Sequence, residues 1–169
     1  ETLSMAGSKN HPQFPHGTLS AKSKWSAEAI GGFLEEARLP LRISSIDDQG
    51  YPQITSLWFV FEEGKFLCCT QPNAVVSKQI EKNAKVGFEV AVNAPPYYGI
   101  SGQGEARLIQ GDQAALLSEL TERYLEDRDT DLKAWLLSRA DSEVILEVTP
   151  HRLTSWDFRA RMSSVPTPR

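Results

Sequence analysis

Short apolar runs alternate with turn-forming residues along the chain and predict a fold rich in strands. Strands are predicted at 41–46, 54–61, 66–70, 86–92, 100–108, 143–149 and 152–158. The stretch at 47–50 holds two Asp and a Gly, and these residues are typical of tight turns. The run at 54–61 is nearly continuous in its apolar character, which predicts a strand covered on both faces.

Four helices are predicted around these strands. The first begins after Ser26, whose hydroxyl can cap the unpaired N–H groups of a helix start, and it ends before Pro40. The others are expected at about 73–82, 112–126 and 131–139. This order of elements does not fit a regular βαβ alternation. It predicts a mainly β, α+β fold in which a small antiparallel barrel carries helices on its outside.

The two ends of the chain differ in composition from this central region. Residues 1–24 contain Gly, Ser, Pro, Lys and His with little apolar periodicity, and we expect them to form a flexible N-terminal arm. Residues 25–160 are predicted to form one domain, followed by a C-terminal tail at 161–169. A chain of 169 residues is long enough to bury a substantial core in a single domain.

Composition excludes several classes of partner. The formal net charge of −4 disfavours nucleic acid, because binding to a phosphate backbone requires a basic face. No apolar run approaches the roughly 18 residues that a membrane span requires. The sequence shows no secretory signal, no N-glycosylation acceptor and only two cysteines. We therefore expect a cytoplasmic protein.

Histidines and cysteines form no recognisable catalytic or metal-binding pattern. His11, His16 and His151 do not lie at ligand spacing to Cys68 or Cys69, so no metal site is predicted. Adjacent residues of a strand point to opposite faces, which favours an inert, buried role for at least one cysteine over a redox dithiol. Covalent catalysis by the protein is disfavoured, and redox chemistry would have to come from a cofactor.

A phosphate-binding position is predicted where the strand ending at Thr70 leads into the helix at 73–82. The first N–H groups of a helix lack partners within it, and the helix dipole favours an anion there. Thr55 and Ser56 interrupt an apolar strand with hydroxyls that could orient a ligand, and exposure at a sheet edge is an equally good explanation. Trp58 and Trp156 are candidates for the wall of a flat-ring site, with plain core packing as the alternative.

Four segments of the chain stand in a characteristic order: PQITSLWF at 52–59, FLCCT at 66–70, QIEKNAKV at 79–86 and GQGEAR at 102–107. Together they resemble the pyridoxamine 5′-phosphate oxidase-like family of split β-barrel flavoproteins, over roughly residues 38–110. TSWDF at 154–158 adds a weaker similarity. The resemblance implies a six-stranded antiparallel split β-barrel, a homodimer, and FMN or a deazaflavin coenzyme in grooves between the subunits.

The resemblance also implies roles for individual residues. The strand matching 55–58 would run along the flavin ring, and the strand end and helix after it would hold the phosphate. The tryptophan matching Trp156 would come from the C-terminal strand and approach the flavin. The implied cofactor-binding residues are Thr55, Ser56, Leu57, Trp58, Thr70, Ala74, Ser77, Lys78, Trp156 and Arg161.

The sequence departs from the family pattern at two places. Where many members carry Ser-x-Lys or Ser-Arg-Lys at the helix start, this chain has Ala74-Val75-Val76, and Ser77 and Lys78 follow slightly later. A helix advances about 100° per residue, so this shift changes the direction of both side chains. FMN, a deazaflavin and haem therefore all stay open as cofactors. DFRAR at 157–161 also replaces the Arg-x-His-x-Arg of true pyridoxamine phosphate oxidases, so we do not expect that activity.

Two classes of function follow from the resemblance. The first is an FMN- or deazaflavin-dependent oxidoreductase that acts on a small molecule, with no catalytic acid or base that the sequence identifies. The second is a non-enzymatic module that binds flavin or haem for storage, sensing or transfer. A dimeric scaffold without a cofactor is a third reading.

Overall fold

The computed structural model describes residues 12–163. Its strands are β1 (Thr18–Leu19), β2 (Leu41–Ile46), β3 (Pro52–Leu57), β4 (Val60–Glu62), β5 (Lys65–Thr70), β6 (Lys85–Ala91), β7 (Tyr98–Ile109) and β8 (Val144–Asp157). Its helices are α1 (Ala27–Glu36), α2 (Val75–Lys82), α3 (Gln113–Leu125), α4 (Thr130–Leu137) and α5 (Arg159–Ser163). None of the helices in this range is long and apolar enough to cross a membrane.

The strands form one curled sheet with the order β3-β2-β6-β7-β8-β5-β4, in which neighbouring strands are antiparallel. The two edge strands, β3 and β4, follow one another in the chain and are joined by residues 58–59. Across the opening, Cα atoms of β3 and β5 approach within 8 Å. The sheet is therefore a split barrel, and the predicted mainly antiparallel barrel with peripheral helices is confirmed.

The described residues form eight strands, whereas the sequence pattern predicted seven and the resemblance implied six. The predicted strand at 54–61 is two strands, because the chain crosses from one sheet edge to the other at residues 58–59. The predicted strands at 143–149 and 152–158 are one strand, β8, whose register shifts opposite Gln103 and Gly104. A bulge of this kind lets a strand pass a proline, here Pro150, without ending.

The sequence predicted that the strand at 54–61 is covered on both faces. This prediction is correct for residues 59–60 and wrong for β3. Phe59 faces the main core and Val60 packs toward α3, and both are buried. In β3 the prediction is wrong, because no element formed by residues 12–163 covers the outer face of this edge strand. Ile54 is 73% exposed there, and Ser56 is exposed as well.

Aromatic side chains form the centre of the barrel core. The ring centroid of Phe66 lies 5.2 Å from that of Phe59, 4.9 Å from Phe61 and 5.1 Å from Phe88. Residues from α1 and α2 close the same core on its open sides. Removing a buried aromatic side chain of this kind costs about 3–5 kcal/mol of folding free energy.

The described part of the predicted N-terminal arm packs on the domain. Phe14 is 1% exposed and lies 5.8 Å from the ring of Phe61, and β1 pairs in parallel with β8. Residues 12–24 lack periodicity but contact the barrel through Phe14 and β1, and the flexibility of the arm stays a prediction. Residues 1–11 lie outside the described range. Of the predicted tail at 161–169, residues 161–163 belong to α5 and the rest lie outside the description.

Candidate functional site

The hydroxyl groups of Thr55 and Ser56 lie on opposite faces of the edge strand β3. Thr55 stands opposite the buried Ile43 and is half-buried at the inner side of the split, while Ser56 stands opposite Arg42 on the outer side. Directly opposed residues of antiparallel strands share a face. Neither hydroxyl forms a side-chain hydrogen bond with another described residue. Both therefore keep a donor and an acceptor for a ligand.

Trp58 follows β3 and is held from outside the barrel by α3. Its ring stacks on that of Tyr124 with centroids 5.1 Å apart and an interplanar angle of 4°. The Tyr124 hydroxyl donates to the carbonyl of Leu39 at 2.9 Å and accepts from the N–H of Phe59 at 3.3 Å. One face of Trp58 is thus covered by protein. Leu57, the other predicted ring contact, packs against the barrel core.

The start of α2 lacks the side-chain cap that the neighbouring helices have. α1, α3 and α4 are capped by Ser26, Asp112 and Asp129, whose side chains accept from N–H groups of the first turn. In α2 the N-cap residue is Ala74, which offers no such acceptor. Its first N–H groups are therefore left to water or to an anion. Thr70, buried at the end of β5, precedes this helix by one short turn.

Ser77 and Lys78 point in different directions, as the helical shift in sequence predicts. Ser77 is fully buried, and its hydroxyl donates to the carbonyl of Gln71 at 2.7 Å, which closes the turn before α2. Its proton is thus used within the fold. Lys78 is exposed and forms no ion pair or side-chain hydrogen bond with any residue between 12 and 163. Lys78 is therefore the side chain of this pair that can meet an anion.

A buried hydrogen bond connects α2 to the strand beside β3. The hydroxyl of Ser45 in β2 donates to Oε1 of Gln79 in α2 at 2.5 Å, and both residues are buried. Ser45 lies two residues from Ile43, which stands opposite Thr55. Thr55 and α2 therefore flank the same stretch of β2. The structure brings together two of the groups that the sequence predicted for the site.

Trp156 lies far from Thr70 along the sheet within one chain. It stands opposite Gly99 on β8, whereas Thr70 stands opposite Val144 at the other end of the same strand. Trp156 lies twelve positions after Val144. At a rise of about 3.3 Å per residue, these positions span about 40 Å along β8. Arg161 follows in α5, at the Trp156 end. A single chain therefore does not bring all ten predicted residues to one small ligand.

Polar and aromatic side chains that are not among the ten predicted site residues form a cluster at the end of β8. Asp157 accepts from Trp25 Nε1 at 3.1 Å and from Arg159 Nε at 2.9 Å. The guanidinium of Arg159 also lies 4.2 Å from the ring centroid of Tyr98. The hydrogen bonds from Arg159 hold the pKa of the Asp157 carboxyl well below its ordinary value. The bond between Trp25 and Asp157 joins residues 132 positions apart, so local patterns could not reveal it.

The two cysteines occupy opposite faces of β5, as predicted. Cys68 is fully buried in the barrel core, and Cys69 faces α3. Burial raises the pKa of the Cys68 thiol far above its ordinary value and raises the pKa of Cys69 to about 12. Both are therefore thiols near neutral pH, which makes them poor nucleophiles. Within residues 12–163, no cluster of His, Cys, Asp and Glu is suited to hold a metal ion.

This curled antiparallel sheet, with an uncapped helix start beside its open edge, defines a split β-barrel protein with a candidate anion site. Residues 27–157 match the family described as pyridoxamine 5′-phosphate oxidase, and the chain belongs to this family. The resemblance inferred from the sequence is thereby confirmed. Membership identifies the family and does not by itself assign pyridoxamine oxidation to this chain.

Several solved structures share this fold. A conserved hypothetical protein from Mycobacterium tuberculosis is 18% identical with a TM-score of 0.71, over 90% of this chain and 96% of that one. An F420 reductase is 21% identical with a TM-score of 0.54, over 72% and 93%. A haem storage protein from Vibrio cholerae is 16% identical with a TM-score of 0.60, over 78% and 96%. No curated protein matches the sequence.

Proposed function

We propose that this chain is an oxidoreductase that binds FMN or a deazaflavin coenzyme in a groove between two copies of the chain. The observation that carries the proposal is the start of α2, where uncapped N–H groups lie beside Thr70 and the unpaired Lys78. A helix N-terminus and a nearby cation both favour a phosphate group. Membership of the pyridoxamine 5′-phosphate oxidase family supports the proposal.

In this proposal the phosphate is held mainly by backbone. The N–H groups of Val75 and Val76 donate to it, Lys78 supplies the positive charge, and the small side chain of Ala74 leaves the approach open. Ser77 contributes by fixing the turn through Gln71 rather than by its own hydroxyl proton. The departure from Ser-x-Lys thus leaves a site that fits a phosphate with fewer side-chain donors.

The ring of the cofactor would lie along β3. Thr55 and Ser56 have hydroxyls without side-chain partners among residues 12–163, and these would orient the polar edge of the ring. Leu57 and Trp58 would cover its apolar part. Because Tyr124 stacks on one face of Trp58, only the other face or the edge of the indole is available to a ligand.

A second copy of the chain completes the site in this proposal. About 40 Å of strand separates Trp156 from the position opposite Thr70, so a single chain does not offer both to one cofactor. A homodimer that places Trp156 and Arg161 of one copy over β3 of the other would remove this separation. The exposed outer side of β3, with Ile54 73% exposed, is available for such a contact.

The choice between FMN and a deazaflavin depends on the phosphate site. A charge-assisted hydrogen bond contributes about 1.5–3 kcal/mol, so the loss of a Ser-x-Lys pair would weaken FMN binding substantially. The similarity to an F420 reductase supports the deazaflavin, since F420 is a deazaflavin coenzyme. Either cofactor would supply hydride transfer, while this chain's residues bind it, orient its ring and exclude water from it.

The proposal is tested by the visible absorption spectrum of the purified chain, before and after separate addition of FMN, a deazaflavin and haemin. Flavin bands that remain after gel filtration and bleach on reduction would support an oxidoreductase and justify a search for its substrate. A chain that retains neither flavin would contradict the proposal.

A second candidate function is the binding of haem without catalysis. The replacement of Ser-x-Lys by Ala74-Val75-Val76 favours it, and so does the shared fold of the haem storage protein. In this case the same experiment would give a Soret band with haemin and no retained flavin.

A further inference from the structure

A groove of about 360 Å³ lies on the outer face of β7 and β8, beside the segment at 20–24. This segment is fixed to β8 by backbone hydrogen bonds, from the Ser20 N–H to the Leu153 carbonyl at 2.8 Å and from the Lys24 N–H to the Ser155 carbonyl at 3.3 Å. The groove is therefore built from two distant parts of the chain. Its polar lining consists of Ser20, Lys22, Ser101, Gln103, Arg152 and Thr154.

The groove has two positive charges and no carboxylate in its lining. Neither Lys22 nor Arg152 forms an ion pair or a side-chain hydrogen bond with another residue in the described range. Some other cations of this acidic chain are paired, as Lys82 is with Asp48 at 2.6 Å. Two cations that lack ion-pair partners and line the same groove favour the binding of an anion.

Uncharged donors complete the floor of the groove. Ser101 stands opposite Thr154, and Gln103 stands opposite Arg152, so that four polar side chains form two cross-strand pairs on one face. The side chains of Ser101, Gln103 and Thr154 make no hydrogen bond with other residues between 12 and 163. Two acidic side chains lie on this face outside the groove lining: Glu89 stands opposite Ser101 on the side away from β8, and Glu105 lies two residues after Gln103 on β7.

We infer that this groove binds the phosphate or carboxylate group of a small molecule. The Arg152 guanidinium offers a planar fork of N–H donors, Lys22 offers a second cation above it, and the hydroxyls satisfy the remaining acceptors of the anion. Arg152, Thr154 and Trp156 alternate along the outer face of β8, so an anion held here has its remaining atoms within reach of Trp156. Binding of this anion requires only the groove and no flavin.

Inorganic phosphate is the probe, titrated into the ¹⁵N-labelled full chain at constant ionic strength while the backbone amide resonances are followed. We expect saturable shifts confined to residues 20–22, 101–103 and 152–154. The double variant Lys22→Gln, Arg152→Gln should bind phosphate at least about tenfold more weakly, because two charge-assisted hydrogen bonds are removed. Lys85→Gln, an exposed lysine on β6 outside the groove, is the matched control and should behave like the parent chain.

Three outcomes would overturn the inference: shifts that do not saturate, shifts scattered over all surface lysines, or full binding by the double variant. A fourth outcome also contradicts anion binding: the parent chain is dimeric and shows no phosphate shifts, and the double variant is monomeric. This result would assign the groove to contact between copies. Competition identifies the source of the anion. Displacement of phosphate by FMN but not by riboflavin indicates the cofactor's phosphate, and displacement by neither indicates a separate anionic substrate. If no flavin binds at all, the phosphate shifts remain, so failure of the proposed function is distinguishable.

Discussion

Trp58 lies flat against Tyr124, with ring centroids 5.1 Å apart and planes inclined by only 4°. Trp58 begins the crossover between the two edge strands of the barrel, and Tyr124 belongs to the outer helix α3. The tyrosine hydroxyl also donates to the Leu39 carbonyl, so that the crossover, α3 and the start of β2 are joined at one ring. This contact fixes the wall of the proposed flavin groove from behind.

Removal of the tyrosine hydroxyl should destabilise this junction. Tyr124→Phe keeps the stacked ring but leaves the Leu39 carbonyl and the Phe59 N–H without their partner, at a cost of about 1–2 kcal/mol. Urea unfolding measures the change in the free energy of unfolding. Tyr97→Phe is the control, because Tyr97 is 45% exposed and should shift stability by no more than about 0.5 kcal/mol. Equal stability of the two variants would contradict this role for Tyr124.

The cysteines should be unreactive in the folded protein. Burial raises the pKa of Cys69 to about 12, and that of Cys68 further, whereas an unfolded thiol titrates near about 8.5. At pH 8 the native chain should react with a disulfide reagent at least about 100-fold more slowly than the chain in urea. Cys68→Ser isolates the half-buried Cys69. Rapid labelling of that variant in its native state would show that the thiol is accessible and ionised.

Asp157 should stabilise the fold in a pH-dependent manner. Its folded pKa is depressed by Arg159, so its contribution is complete above about pH 4 and is lost as the pH falls toward the folded pKa. Asp157→Asn should cost about 1–3 kcal/mol at pH 7, through the bonds to Arg159 and Trp25, and the difference should narrow below pH 4. Asp48→Asn, an exposed partner of Lys82, should cost less than about 1 kcal/mol at either pH. A constant difference for Asp157→Asn across this range would contradict the assignment.

Lys78 should contribute to the binding of a phosphorylated flavin and Ser77 should not do so directly. Lys78→Ala is expected to weaken FMN binding roughly ten- to hundred-fold, because one charge-assisted hydrogen bond is lost, and to leave riboflavin binding unchanged. Fluorescence titration of both flavins measures this difference. Lys82→Ala, one turn later on α2 and paired with Asp48, is the control. Unchanged FMN affinity in Lys78→Ala would remove this lysine from the phosphate site.

Local patterns in the sequence predicted the elements well where a periodic run ended in clear turn residues. β2 occupies 41–46 as predicted, and α1 begins after the cap Ser26. The same reasoning placed the start of α2 next to Thr70. It failed for the outer face of β3, since a run of apolar residues does not reveal which strand forms the sheet edge.

Local patterns in the sequence could not predict contacts between residues that are distant along the chain. Phe14 anchors the N-terminal segment in the core, and Tyr124 fixes Trp58 across 66 positions of sequence. The opposite directions of Ser77 and Lys78 depend on where α2 begins, and a change of one residue there would turn both side chains by about 100°. The separation of Trp156 from Thr70 required the register of β8, which the sequence does not encode locally.

Mixing two variants that each bind FMN weakly tests most directly whether one flavin site is formed by two copies. Lys78→Ala and Trp156→Ala should each bind FMN weakly as homodimers, because every site lacks one contact. If each site takes Lys78 from one copy and Trp156 from the other, an equal mixture after subunit exchange should regain parent-like affinity at about one quarter of all sites. Titration of the mixture with FMN would then show a tight phase that neither variant has alone. A mixture that binds FMN only as weakly as its two components would contradict a site shared between copies.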